Sequence, residues 1–181
     1  MKFTPRRIAF AGILAAVYAA ITLATSSFAY GPVQFRIAEA FAVLCCFTPA
    51  AIPGMVVGCM AANLASFVSA WDFAIGSSAT LLACVVTYLM SNAMRQEQSG
   101  KLTRRELTLA LLVPLPTILF NALIVGAEIA VFFDDRAFWT AFGANALSVG
   151  AGEAAVLYVL GVPMLLWLRR DSRLYRQLRA A

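Results

Sequence analysis

The chain has 181 residues, of which 62% are hydrophobic and only 13% charged, against about 45–50% and about 25% in soluble domains. A soluble core of this size cannot hide so much apolar surface, so the composition fits a bilayer as solvent. The formal net charge is +5 and histidine is absent: the commonest zinc ligand and the usual neutral-pH general base are missing, and the basic residues fall at segment ends, which membrane topology explains better than a nucleic-acid groove does.

Six apolar segments follow in chain order. The first, Ile8–Phe28, comes after Lys2, Arg6 and Arg7. It has the length of a spanning helix, about 20 residues, and exceeds a signal-peptide core of about 7–15. It is therefore read as a retained helix, although Thr25–Ala29 carries small residues of a cleavage-site type. The second segment, Ile37–Ile52, is short and interrupted by Pro49. Only Pro49-Ala50-Ala51-Ile52-Pro53 joins it to the third, Gly54–Ala70, a tight connection or a break within a hairpin. The fourth is Ile75–Met94. The fifth, Leu107–Phe133, carries Pro114 and Pro116 in its first half. The sixth, about residues 142–168, starts between Phe138 and Val149. The whole chain, 1–181, reads as a single all-α membrane domain of six spans.

Charge sets the expected orientation. With the N-terminus inside, the inner face receives Lys2, Arg6 and Arg7, then Arg95, Lys101, Arg104 and Arg105, then Arg169, Arg170, Arg173, Arg176 and Arg179. Of the 14 Lys and Arg, only Arg36 and Arg136 are left outside. Six spans starting inside also finish inside, so both termini are expected in the cytoplasm. The same layout places Glu97, Glu106 and Asp171 among inner bases and the other six acids in the outer half. Asp134 and Asp135 read as a solvated outer loop. Glu39, Asp72, Glu128 and Glu153 remain at or inside helix ends.

An ionisable side chain within a span costs about 2.5–3.5 kcal/mol on insertion scales, so it usually faces a cavity or a partner. Glu128 lies in the outer part of the fifth segment, with Asn121 two turns earlier on the same stripe. Glu153 lies in the sixth, with Asn145 two turns before it. Asn63 is near the middle of the third, and Asp72 just past its outer end. Arg36 and Glu39, three residues apart, can meet on one helix face. An outward-facing cavity lined by these carboxylates and amides uses all of them, and suits a small ligand that is cationic or rich in hydrogen-bond donors. Structural roles stay open for several. Arg36 and Glu39 can form an interfacial ion pair, Asp72 can cap a helix, and the asparagines can bond helices together. Phe28, Trp71, Phe133, Trp139 and Trp167 suit an interfacial belt. Cys45, Cys46, Cys59 and Cys84 form no CxxC pair and read as buried thiols acting as small hydrophobes. No metal site is expected. In the first segment Ala11, Ala15 and Ala19 recur every four residues, as do Gly12, Ala16 and Ala20. Such stripes let another helix approach closely, within the chain or from a partner.

The stretch Tyr30-Gly-Pro-Val-Gln-Phe-Arg-Ile-Ala-Glu-Ala40 resembles the signature of the queuosine-precursor transporter (QueT) family, the substrate-binding S components of energy-coupling factor (ECF) transporters in prokaryotes. The resemblance continues through WDFAIGSSAT (71–80), FNALIVGAEI (120–129) and VGAGEAAVLYVLGVP (149–163). It implies an S-component-like bundle in the prokaryotic plasma membrane. It also implies that a separate coupling subunit, EcfT, docks on the Ala11, Ala15, Ala19 face, and that two cytoplasmic ATPases drive transport. This chain would then be no enzyme and carry no cofactor, with ATP used by its partners; it has no GxxxxGK[ST] motif. The expected solutes are 7-deazaguanines such as preQ1 or queuine. Glu128 and Glu153 would take the donor edge and the aminomethyl cation. Gln34, Asn121 and Asn63 would add hydrogen bonds, Arg36 would orient Glu39 or bind the ligand carbonyl, and Tyr30, Gly31, Pro32 and Phe35 would form the lid. An S component for another vitamin, or a stand-alone carrier that couples protons through the same carboxylates, are the alternatives.

Overall fold

The computed structural model describes residues 4–29, 34–66, 70–92, 104–171 and 175–178. Among these residues there is no strand. Helix α1 is Pro5–Ala24, and a ten-residue 3₁₀ helix covers Ile37–Cys46. Helices α2, Ala51–Ser66, and α3, Ala70–Met90, follow. Two long helices complete the bundle: α4, Arg104–Phe132, and α5, Phe138–Arg170. Four helices, α1, α3, α4 and α5, are long and apolar enough to cross a membrane, while the 3₁₀ helix and α2 are shorter.

Local chemistry explains most boundaries. Thr4 caps α1, accepting at 3.4 Å from the Arg7 amide, and Pro5 occupies the first turn, where its missing N–H costs nothing. The helix is interrupted at Thr25, whose hydroxyl bonds back to the Ile21 carbonyl at 2.7 Å, and a short helical turn, Ser26–Ala29, follows it. The connection expected at residues 49–53 begins earlier, at Phe47. Pro53 lies inside the first turn of α2, a position proline tolerates. Proline also marks irregularities in the long helices. α4 breaks at Val113–Pro114. In α5 a π-helical turn, Leu157–Gly161, precedes Pro163 and makes room for its ring against the preceding turn. A second π turn in α4, Asn121–Val125, has no proline beside it.

Glycines set the closest packing. A β-carbon at Gly54 would sit 2.9 Å from the Ala11 carbonyl, and one at Gly58 would sit 2.9 Å from the Ala15 carbonyl and 2.7 Å from Tyr18 Cβ. α1 and α2 therefore meet almost backbone to backbone. This contact runs along the Ala11 and Ala15 side of α1. Ala15 is buried in it and Ala11 and Ala19 are partly buried, whereas Gly12, Ala16 and Ala20 are exposed. Gly126 packs in the same way on Ala146, which joins α4 to α5, and Gly161 packs on Val43 of the 3₁₀ helix.

The two ends of the bundle differ in charge. At one end Arg169 pairs with Glu106 at 2.8 Å, Arg6 bonds the Gln177 carbonyl, and Tyr175 meets Phe47 edge-on. At the other end Asp134 accepts from Arg136 and, at 2.9 Å, from Asn145. The Arg136 guanidinium holds the Asp134 carboxyl well below the usual carboxylate range. Asp134 is thus clasped rather than simply solvated, and Asn145 is committed to it.

Candidate functional site

The ten residues of the 3₁₀ helix rise about 20 Å, less than the ~30 Å of a hydrocarbon core. The chain enters this helix through residues 34–36, which are not helical. Arg36 and Glu39 consequently lie deep in the bundle, at 2% and 0% exposure. A 3₁₀ run of this length is unusual, because its hydrogen bonds are poorer than those of an α-helix.

Two buried polar groups meet there. In the first, Arg36 reaches across to Asp72 on α3 at 3.5 Å, with both side chains buried. Asn63 on α2 donates to the Asp72 carbonyl at 2.9 Å. Gly76, one turn beyond Asp72, gives this group its space: a β-carbon there would lie 2.9 Å from Asp72 Oδ1 and 3.0 Å from Asn63 Nδ2. In the second, Glu39 Oε1 accepts from the Tyr18 hydroxyl at 2.6 Å and from Thr80 at 3.5 Å. Arg36 and Glu39 therefore reach different partners, on α3 and on α1 with α3, instead of forming only the local pair that their spacing allows.

On the facing helices, Asn121 in the π turn of α4 donates to Glu153 Oε1 on α5 at 2.9 Å, with both residues 1% exposed. Single π turns inside α-helices often mark functional positions. Glu128 is buried one helical stretch further along α4. Gln34 closes this side. Its backbone lies so close to Gly152 that a β-carbon there would sit 2.8 Å from the Gln34 carbonyl carbon. The Arg36 charge acts electrostatically on both Glu153 and Glu128. Glu153 also feels Glu39, and Glu128 feels Asp72.

The expected residues Gln34, Arg36, Glu39, Asn63, Asp72, Asn121, Glu128 and Glu153 are thus gathered in one half of the bundle. Phe35 is exposed beside them. Tyr30, Gly31 and Pro32, expected in the lid, lie outside the described residues. Sequence reasoning missed Tyr18, Thr80 and Gly76. The last two had a visible signal, because Asp72, Gly76 and Thr80 recur every four residues and so share one face of α3. Tyr18 had a weaker one, a hydroxyl far from either end of an apolar span.

Acceptors dominate what this site leaves open. Both oxygens of Glu128, Oε2 of Glu39, Oε2 of Glu153 and Oδ1 of Asn121 are buried and have no hydrogen-bond partner among the described residues. A buried polar group without a partner is costly, so five acceptors in one region favour a ligand that brings donors. No group of three or more His, Cys, Asp or Glu suited to a metal occurs among the described residues. A separate cavity of about 460 Å³ opens at the other end, lined mainly by Phe10, Ile13, Phe41, Leu44, Met164 and Trp167. It holds none of these carboxylates.

The sequence profile described as QueT transporter matches residues 8–170. The chain belongs to the QueT transporter family. Membership of a transporter family and the long apolar helices fit a membrane protein. The chain is also similar to a curated protein of Lactococcus lactis subsp. cremoris (strain MG1363), named "Queuosine precursor transporter QueT". They are 31% identical over 88 residues, 47% of this chain and 51% of that relative. The aligned part thus spans about half the length of the relative. No solved structure matches the chain at a significant level.

Proposed function

We propose that this protein is the substrate-binding S component of an ECF-type importer in the prokaryotic plasma membrane, and that it takes up 7-deazaguanine precursors of queuosine such as preQ1 or queuine. The observation that carries this reading is the set of five buried acceptors. A deazaguanine brings a planar edge of adjacent N–H donors, and a carboxylate accepts two such bonds in parallel. The name of the Lactococcus relative points to the same class of solute. Six crossings with both termini inside, in one domain, suit the basic residues gathered at one end. That topology turns the acceptor-rich half outward, where an importer meets its solute.

The test is calorimetric titration of the purified protein with preQ1, queuine and guanine. Saturable binding of a deazaguanine is expected; no binding of any of them would remove the substrate assignment.

The reading assigns ATP hydrolysis to two partner ATPases and places no cofactor in this chain. EcfT docking then falls to the exposed face of α1 carrying Gly12, Ala16 and Ala20, because the Ala15 side is committed to α2. Small residues let a second helix come close in lipid. Replacing Ala16 by Trp is expected to leave substrate affinity within about 2-fold and to abolish uptake in cells that hold the whole transporter. Uptake at the parental rate would overturn this docking face. Uptake by the chain without any partner would favour the stand-alone carrier.

A further inference from the structure

The carboxylates of the site are not equivalent, and the difference bears on which deazaguanine the protein selects; the inference rests on the substrate reading above. Glu153 is held. One oxygen accepts from Asn121, which leaves Glu153 Oε2 and Asn121 Oδ1 as two open acceptors joined by a hydrogen bond. Two acceptors locked side by side suit a flat, rigid fork of donors. Glu128 is different, because neither of its oxygens has a donor among the described residues, although it is only 4% exposed. No hydrogen bond from the described residues fixes its orientation, and Arg36, a cation that acts on it electrostatically, is engaged with Asp72. A carboxylate buried in that way suits a compact cation with several donors, which an ammonium group supplies. The separation also fits. Asn121 and Glu128 are seven residues apart on α4, about 10 Å along the axis, the scale of a bicyclic base with a one-carbon arm and its flanking hydrogen bonds.

We infer that Glu128 is the cation-selecting residue of the site: the Asn121–Glu153 pair reads the donor edge of the base, and Glu128 takes an ammonium group carried on the opposite side. The protein therefore prefers deazaguanines bearing an amine on the 7-substituent to neutral ones of the same shape.

Two probes separate this inference from the substrate reading: 7-aminomethyl-7-deazaguanine and its neutral counterpart with a nitrile at the same position. The wild-type protein is expected to bind the amine at least about 10-fold more tightly. Glu128→Gln is expected to weaken amine binding about 10–100-fold and nitrile binding by less than about 3-fold. Glu128→Asp, which keeps the charge, is expected to retain the preference, and together with the wild-type comparison it decides the matter should the Gln variant fold poorly. Equal affinity of the wild type for both probes, or equal weakening of both by Glu128→Gln, would overturn the role of Glu128 while leaving a deazaguanine transporter in place. Failure of the wild type to bind either probe would remove the substrate reading and this inference with it.

Discussion

Glu153→Gln is expected to lower affinity for a deazaguanine about 100-fold while leaving the empty protein as stable as the parent or more so. Glu153 is 1% exposed, and among the described residues it accepts from the Asn121 amide at 2.9 Å. Hydrogen bonds to a charged group contribute about 1.5–3 kcal/mol, or about 10–100-fold in affinity. A glutamine loses the charge. Whichever way its amide turns, it either presents N–H groups to the ligand's own donors or gives up its bond with Asn121. Folding responds in the opposite sense, because a buried carboxylate with an open oxygen and Glu39 nearby is costly in the unliganded state. Titration and thermal unfolding in the same detergent separate the two effects. A binding site maintained at the expense of stability predicts that they diverge. If affinity and melting temperature fall together, Glu153 is a structural residue; if affinity stays at the parental value, the site is misplaced.

Gly152→Ala is expected to be the most damaging single methyl group in the bundle. The added carbon would overlap the Gln34 carbonyl and sit 2.8 Å from its carbon. The obstruction is main chain, so no side chain can rotate away. Residues 34–36 would have to shift, taking with them the Arg36 contact to Asp72. Overpacking of this kind costs about 1–3 kcal/mol and occasionally more, and here it also disturbs the entrance to the site. A loss of both melting temperature and ligand affinity is expected. Gly143→Ala on the same helix is the matched control. Nothing lies within 4 Å of its β-position, and alanine in an open helical site is favoured by about 1 kcal/mol over glycine. A Gly152→Ala protein that melts with the Gly143→Ala control would contradict the close approach of Gln34.

Much of this organisation was legible in the sequence, for identifiable reasons. The apolar runs that became α1, α3, α4 and α5 are long and carry few charges, so hydropathy alone outlines them. Glu39, Asp72, Glu128 and Glu153 stood out because an acid in an oily segment needs a reason. Less could be read where tertiary contacts decide. The 3₁₀ form of Ile37–Cys46 leaves no mark in composition. Its neighbour Pro53 looked like punctuation but sits inside the first turn of α2. The two small-residue stripes on α1 are equivalent as text, and only the position of Gly54 and Gly58 shows which one faces inward. Tyr18 and Thr80 were overlooked for a related reason. A lone hydroxyl in a membrane helix carries no cost that singles it out, and its importance comes from the Glu39 oxygen it reaches.

The glycine seam between α1 and α2 has a mechanical consequence. With Gly54 and Gly58 pressed against the Ala11 and Ala15 carbonyls and the Leu14 and Tyr18 side chains, there is little room to absorb a displacement, and tightly packed interiors transmit strain. The two helices behave as a single lever. Whatever grips the lipid-facing surface of α1 therefore also pulls on Asn63 at the far end of α2, and through it on the backbone of Asp72.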